Sequence, residues 1–214
     1  MTETELKITI KKEDFQRFIA AYQDKVQKVE HLWNIFLETP DRSFAQNSSS
    51  ARIRSIDIEG QPRIWVVTIK GRAVVVDGFH SRSEHETEVS EEFVEEFRRD
   101  NASFLRNIPE VLKPYMPDIP IAPVLCYADC STTRTVIPID SFVVEADEVE
   151  LPNGDMMYEL EIETDNVDHV REVIVQILGD LSIPFEYSTK GKAAVVRCLP
   201  LEKQRSPKLL AWLS

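Results

Sequence analysis

The chain has 214 residues, 25 Lys and Arg against 37 Asp and Glu, a formal net charge of −12 and 43% hydrophobic residues. So acidic a balance argues against nucleic acid as a partner, because phosphate-backbone binding needs a basic stripe, and no stretch reaches the roughly 20 apolar residues of a membrane helix. Three cysteines (Cys126, Cys130, Cys198) without CxxC spacing argue against a disulfide framework or a zinc cage, and the absence of a signal-peptide-like apolar run makes a cytoplasmic protein the expectation.

In chain order, residues 3–10 alternate as a strand that puts Glu3, Glu5 and Lys7 on one face and Leu6, Ile8 and Ile10 mostly on the other. Residues 11–25 follow as an amphipathic helix with Phe15, Phe18, Ile19 and Tyr22 at helical spacing. Residues 26–37 read as a strand that stops at Thr39 and Pro40, and DRSFAQNSSS reads as loop by composition. ARIRSIDI and RIWVVTIK are strands joined through Gly60, an apolar piece spans 73–76, and SEHETEVS brings Glu84, Glu86 and Glu88 into alternation. Ser90 is an expected N-cap for a helix that opens with Glu91 and Glu92 and continues, interrupted at Pro109, towards Tyr115.

The proline-rich stretch 114–123 divides the chain into two strand-helix halves. Strands are expected at 124–128, 131–139, 141–150 and 158–163, the last carrying Glu159, Glu161 and Glu163. A helix over 167–181 has Val170, Val173, Ile174, Ile177 and Leu178 on one stripe, and AAVVRCL reads as a final strand. The tail from 201 to 214 is either disordered or a short helix on one mouth of the fold. The scattered His31, His80, His85 and His169 lack ligand spacing, and Trp33, Trp65 and Trp212 read as packing residues.

Charged faces that repeat on so many strands suggest a closed barrel with polar faces inward and apolar faces covered by helices. A lumen holding carboxylates and cations together suits a polyanion with metal, and the lack of a His/Cys cluster favours hard ions such as Mg²⁺ or Mn²⁺.

The motifs also resemble, in order, those of the CYTH superfamily, also called triphosphate tunnel metalloenzymes. ETELK is similar to its ExExK signature, FLETP to its strand ending in threonine and proline, ARIR to its RxR strand and TIKG to its strand ending in lysine. ETE at 86–88 resembles its ExE strand, Arg134 in TTRT its second-half arginine, PIDSF its aspartate strand, YELEIE its ExE repeat and STKGKAAVV its closing strand. The resemblance implies an α+β fold built on a closed antiparallel barrel of about eight strands with outer helices. It places one tunnel domain at 1–200 and a tail at 201–214.

It further implies hydrolysis of a small-molecule triphosphate, with inorganic tripolyphosphate expected first because no motif accounts for an organic group. The alternatives are thiamine triphosphatase, class IV adenylate cyclase and a non-catalytic polyphosphate-binding barrel. By resemblance the phosphates lie on Lys7, Arg52, Arg54, Lys70, Arg134 and Lys190. Lys190 is preferred over Lys192, which opens the apolar run AAVV. Two Mg²⁺ or Mn²⁺ ions would be held by Glu3, Glu5, Glu159 and Glu161, with Glu86, Glu88 and Asp140 as further carboxylates. Glu5, Lys7, Arg54, Lys70, Arg134 and Lys190 are the expected catalytic set, in a monomer or homodimer.

Overall fold

Alternation along the strands decides the architecture, because each strand carries one apolar and one charged face. The computed structural model describes residues 2–214. In chain order its strands are β1 (Thr2–Thr9), β2 (Lys28–Glu38), β3 (Ser50–Asp57), β4 (Ile64–Lys70), β5 (Val74–Val76), β6 (Phe79–Val89), β7 (Leu125–Ile139), β8 (Phe142–Glu150), β9 (Met156–Glu163) and β10 (Glu186–Tyr187). Antiparallel pairing runs β1-β9-β8-β7-β2-β3-β4-β6, and β6 returns to β1 through Glu3↔Arg82 and Glu5↔His80. The result is an α+β fold on a closed eight-strand barrel, with β10 added beside β1 and β5 beside β6.

The helices are α1 (Lys12–Ala21), α2 (Ser43–Gln46), α3 (Glu91–Arg99), α4 (Ser103–Arg106), α5 (Val167–Asp180), α6 (Lys192–Arg197) and α7 (Pro207–Leu213). One outer core joins Leu6, Ile8, Leu160 and Ile162 of the barrel to Phe15 and Phe18 of α1 and to Val170, Ile174 and Leu178 of α5. A second joins Trp33, Ile35, Ile53 and Val67 to Phe97 of α3, Phe104 of α4 and Leu209 of α7. Burying each such side chain contributes about 1.5–3 kcal/mol, so the two large apolar cores lie outside the barrel and most of its interior is left to polar groups. Trp33 touches both other tryptophans, with ring centroids at 6.5 Å from Trp65 and 5.7 Å from Trp212.

Several elements differ from the sequence expectation. The segment expected as loop contains α2, because the Glu38 carboxylate accepts from the backbone N–H groups of Thr39, Phe44 and Ala45, and Phe44 is fully buried. The two strands expected at 124–128 and 131–139 are one long β7, which accommodates a register shift against β2 near Phe36 and Leu37. The helical stretch towards Tyr115 is broken into α3, α4 and a 3-10 turn at Lys113–Tyr115. Ser90 does cap α3, its hydroxyl accepting from Phe93 N.

The expected final strand AAVVRCL is instead helix α6. A four-residue apolar run has no period of its own, and β1 and β6 have already closed the ladder where it would join. Val196 of α6 packs among Phe36, Ala128, Cys130 and Val149, which form an apolar patch inside the barrel. The tail forms α7 on the second outer core, against Trp33.

Candidate active site in the barrel lumen

Register places the functional side chains. Partners opposite one another share a face, so Glu5↔Glu163 and Lys7↔Glu161 carry the β1 charges onto β9, and Glu145↔Glu161 and Asp147↔Glu159 carry them onto β8. Arg134↔Asp147 continues to β7, and Arg52↔Thr68 with Thr68↔Glu86 and Lys70↔Glu84 completes the circuit through β3, β4 and β6. These faces line a cavity of about 1500 Å³.

The cavity has two unlike walls. On the β7-β8-β9 side the cations are saturated. Arg134 donates from Nε and Nη2 to the two Asp147 oxygens at 2.7 Å each, from Nη2 to Glu161 at 2.7 Å, and is paired with Glu145. Lys192, at the start of α6, lies 2.8 Å from Asp147, 3.1 Å from Glu159 and 2.7 Å from Glu161. Lys7 is paired with Glu161 and lies 2.9 Å from Glu5. Burial alone would raise Glu161, but Lys192, Lys7 and Arg134 together hold it well below the usual carboxylate range. Burial raises Glu159, against the opposing pull of Lys192.

On the β3-β4-β6 side the cations are less fully engaged. Arg52 lies 3.7 Å from Glu84 and 3.8 Å from Glu86, and Arg54 donates to the neutral amide of Asn34 at 2.8 Å. Among the described residues Arg54 has no carboxylate partner within ion-pair distance. Lys70 is 2.5 Å from Glu84, and Arg82 is 2.9 Å from Glu5. Burial, with Arg52 and Arg82 nearby, pushes Lys70 down to about 7, and burial with Arg54 pushes Arg52 down to about 10. An anion entering here would relieve both.

At the end of β1, Glu3 hydrogen-bonds Glu163 and Glu84, and burial together with those two carboxylates pushes Glu3 up to about 10. Glu84 is held down to about 2 because Lys70, the Glu3 proton and Arg52 outweigh the burial penalty. The Glu3 carboxyl, with Glu84 and Glu163 beside it, offers a site where a hard cation could replace its proton. Among the described residues no preformed cage of three or more His, Cys, Asp or Glu side chains is present. The donor set is all carboxylate oxygen, which suits Mg²⁺ or Mn²⁺ retaining several waters.

Of the residues singled out from sequence, the structure brings together Glu3, Glu5, Lys7, Arg52, Arg54, Lys70, Arg134, Glu159 and Glu161. Glu86 shares their face, but its side chain is 53% exposed, and Glu88 is exposed one pair further out. Asp140 is not among them: it lies in the β7-β8 turn and pairs with His169 at 3.1 Å. Its place is taken by Asp147, fully buried on the inward face of β8. Lys190 lines the same cavity but is exposed, with Nζ 3.7 Å from Cys198 Sγ, and it is Lys192 that reaches the carboxylates.

Sequence reasoning missed Arg82, Glu145 and Asp147, passed over Glu84, and weighed Lys192 but preferred Lys190. Period-two counting extended back from Glu84 finds Arg82, and the same count in VVEADEVE finds Glu145 and Asp147. Lys192 is set aside in sequence because AAVV is expected as a strand, whereas the segment is helix α6 and Lys192 opens it. His80, given no role from sequence, is buried on the lumen face with Nε2 2.9 Å from Ser188 O.

A closed barrel with helices outside and a charged lumen defines a class of tunnel proteins. The CYTH domain model matches residues 1–193, so the chain belongs to the CYTH domain family. It is similar to HpAC1 from Hippeastrum, an adenylyl cyclase candidate described as having a dominant triphosphatase activity, with 25% identity, a TM-score of 0.83 and coverage of 94% of this chain and 99% of that one. It shares its fold with an adenylate cyclase candidate from Bacillus halodurans (23% identity, TM-score 0.68, 92% and 97% coverage) and with the PH1819 protein of Pyrococcus horikoshii (21%, 0.59, 91% and 99%). No curated protein matches the chain. Among the described residues no helix is long and apolar enough to cross a membrane.

Proposed function

We propose that this protein is a divalent-metal-dependent triphosphatase that hydrolyses inorganic tripolyphosphate to phosphate and pyrophosphate. The observation that carries the reading is the asymmetry of the lumen: one wall of internally neutralised ion pairs faces a wall where Arg54 rests on an amide and Arg52 has only distant carboxylates, so that both keep capacity for an anion beside the paired Lys70 and Arg82. The triphosphatase activity of the similar Hippeastrum protein supports it.

Arginine's planar fork suits phosphate oxygens, so Arg52 and Arg54 would bind and orient the phosphate chain. Lys70, with its ammonium brought down to about 7, can hold or release a proton at Nζ near neutrality, which suits a group that protonates a leaving phosphate. Arg134 and Lys192 would keep Asp147, Glu159 and Glu161 from repelling the substrate. Glu3, Glu84 and Glu163 would hold a divalent ion, with Glu5 beside them. When bound, such an ion supplies charge neutralisation and a water of lowered pKa.

The test is phosphate release from tripolyphosphate, ATP, thiamine triphosphate and pyrophosphate with Mg²⁺ or Mn²⁺. Tripolyphosphate is expected to give the highest kcat/KM. A preference of tenfold or more, about 1.4 kcal/mol, for either organic triphosphate would replace the substrate, and binding without turnover would replace the enzyme by a polyphosphate-binding barrel.

A further inference from the structure

Helix α6 is a single short element that carries Lys192 into the lumen; Val196 seats it in the apolar patch and Arg197 Nη2 donates to Tyr127 Oη at 3.0 Å, which leaves its C-terminal carbonyls to be fixed from elsewhere. Its far end is held by residues beyond the family-matched stretch. Gln204, 5% exposed, donates from Nε2 to Arg197 O at 3.2 Å and to Leu199 O at 2.8 Å, satisfying carbonyls that the end of α6 leaves open. Gln204 O in turn accepts from Asp129 N at 3.2 Å on β7.

The Asp129 carboxylate, 1% exposed, accepts from Ser206 N at 2.7 Å, Ser206 Oγ at 2.5 Å and Trp33 Nε1 at 2.8 Å. Every link is buried or half-buried, and an uninterrupted hydrogen-bonded route runs from β2 and β7 through the tail to α6. At the other end of α6 Lys192 meets Asp147, Glu159 and Glu161.

We propose that Gln204 and Asp129 are positioning residues that set Lys192 in the lumen, so that the C-terminal segment is part of the charged site rather than an appendage to the barrel. Gln204 acts by pinning the C-terminal carbonyls of α6, and Asp129 by anchoring the segment that carries Gln204. The loss of either frees α6 to shift, and Asp147, Glu159 and Glu161 then lose a shared cation. This placement holds whatever substrate the lumen accepts.

The test is amine reactivity measured residue by residue. The full-length protein is treated briefly with acetic anhydride in the absence of phosphate, and acetylation is quantified by peptide mass spectrometry at Lys192 and at Lys7, which shares the lumen but stands on β1. Gln204→Glu keeps the shape and removes the donors, Gln204→Ala removes the group, and Asp129→Asn weakens the anchor. In folded Gln204 variants Lys192 is expected to react about tenfold faster, a shift of about 1.4 kcal/mol in its protection, with Lys7 unchanged. Unchanged Lys192 reactivity in both Gln204 variants overturns the proposal, as does an equal rise at Lys7, which would mean general loosening. Tripolyphosphate turnover is a separate readout: its absence in the wild type would count against the triphosphatase reading and leave the labelling result intact.

Discussion

Two arginines in one lumen illustrate how environment divides roles between identical side chains. Arg134 is enclosed by Asp147, Glu161 and Glu145, whereas Arg54 rests on Asn34. Removing one partner of a buried pair leaves an uncompensated charge and costs about 3–5 kcal/mol. Arg134→Ala is therefore expected to lower stability by that amount in a denaturant titration. Arg54→Ala is expected to leave the denaturation midpoint nearly unchanged and to lower kcat/KM for tripolyphosphate by on the order of 100-fold, the usual cost of one charge-stabilising donor. Reversal of the two phenotypes would contradict the two-wall description.

Glu3 belongs to the same scale. Its carboxyl lies at about 10 in the fold against an ordinary 4.5, so between these values the folded chain holds a proton that the unfolded chain has lost. The stabilisation is complete below about 4.5 and declines as pH rises to about 10. Without metal, stability is expected to fall across that range, and Glu3→Gln to flatten the fall. Adding Mg²⁺ or Mn²⁺ near neutral pH is expected to release up to one proton per ion, read by calorimetry in buffers of different ionisation enthalpy. Glu3→Gln is expected to abolish the release, and binding with no proton release in the wild type would place the ion elsewhere.

At the scale of elements, strands are legible, a short helix in the tail is one of two readings, and the α6 segment reads as a strand. Alternation announces a strand with one charged and one apolar face, which is why β1, β3, β6 and β9 could be read with most of their inward residues. Asp147 was missed because a motif pointed to Asp140, although the parity of β8 selects Asp147. The helical state of α6 depends on the ladder having closed between β1 and β6, a long-range event absent from any local window. Helix α2 likewise depends on Glu38, whose carboxylate accepts from three backbone N–H groups. Glu38→Ala is expected to cost on the order of 2 kcal/mol, the upper end for loss of a cap. Glu38→Gln, which keeps one acceptor oxygen, should recover part of it in thermal unfolding.

For the whole molecule, the overall charge of −12 and the local charge of the lumen tell opposite stories, and only the local one bears on the substrate. Two pairings join the strands on either side of the proline-rich stretch, β2 with β7 and β1 with β9. Cations from β3 and β4 thus face carboxylates from β8 and β9. Pyrophosphate offers one phosphate fewer than tripolyphosphate to the cations of this cavity, so its kcat/KM is expected to be at least about tenfold below that of tripolyphosphate. Equal rates for the two would show that contacts at one end suffice.

Closure of the ladder also governs where the native state opens. Every strand of the barrel has partners on two sides, so none can peel away without breaking two sets of hydrogen bonds. Strands β5 and β10 each have one partner, and Val74 and Val76 on β5 are 62% and 60% exposed. Their amides should be the first strand amides to exchange with deuterium, while those of β8 and β9 wait for global unfolding. An apolar edge that frays early is also where chains stick to one another. Self-association on storage should accordingly begin at β5, and Val74→Lys should slow it without disturbing the lumen.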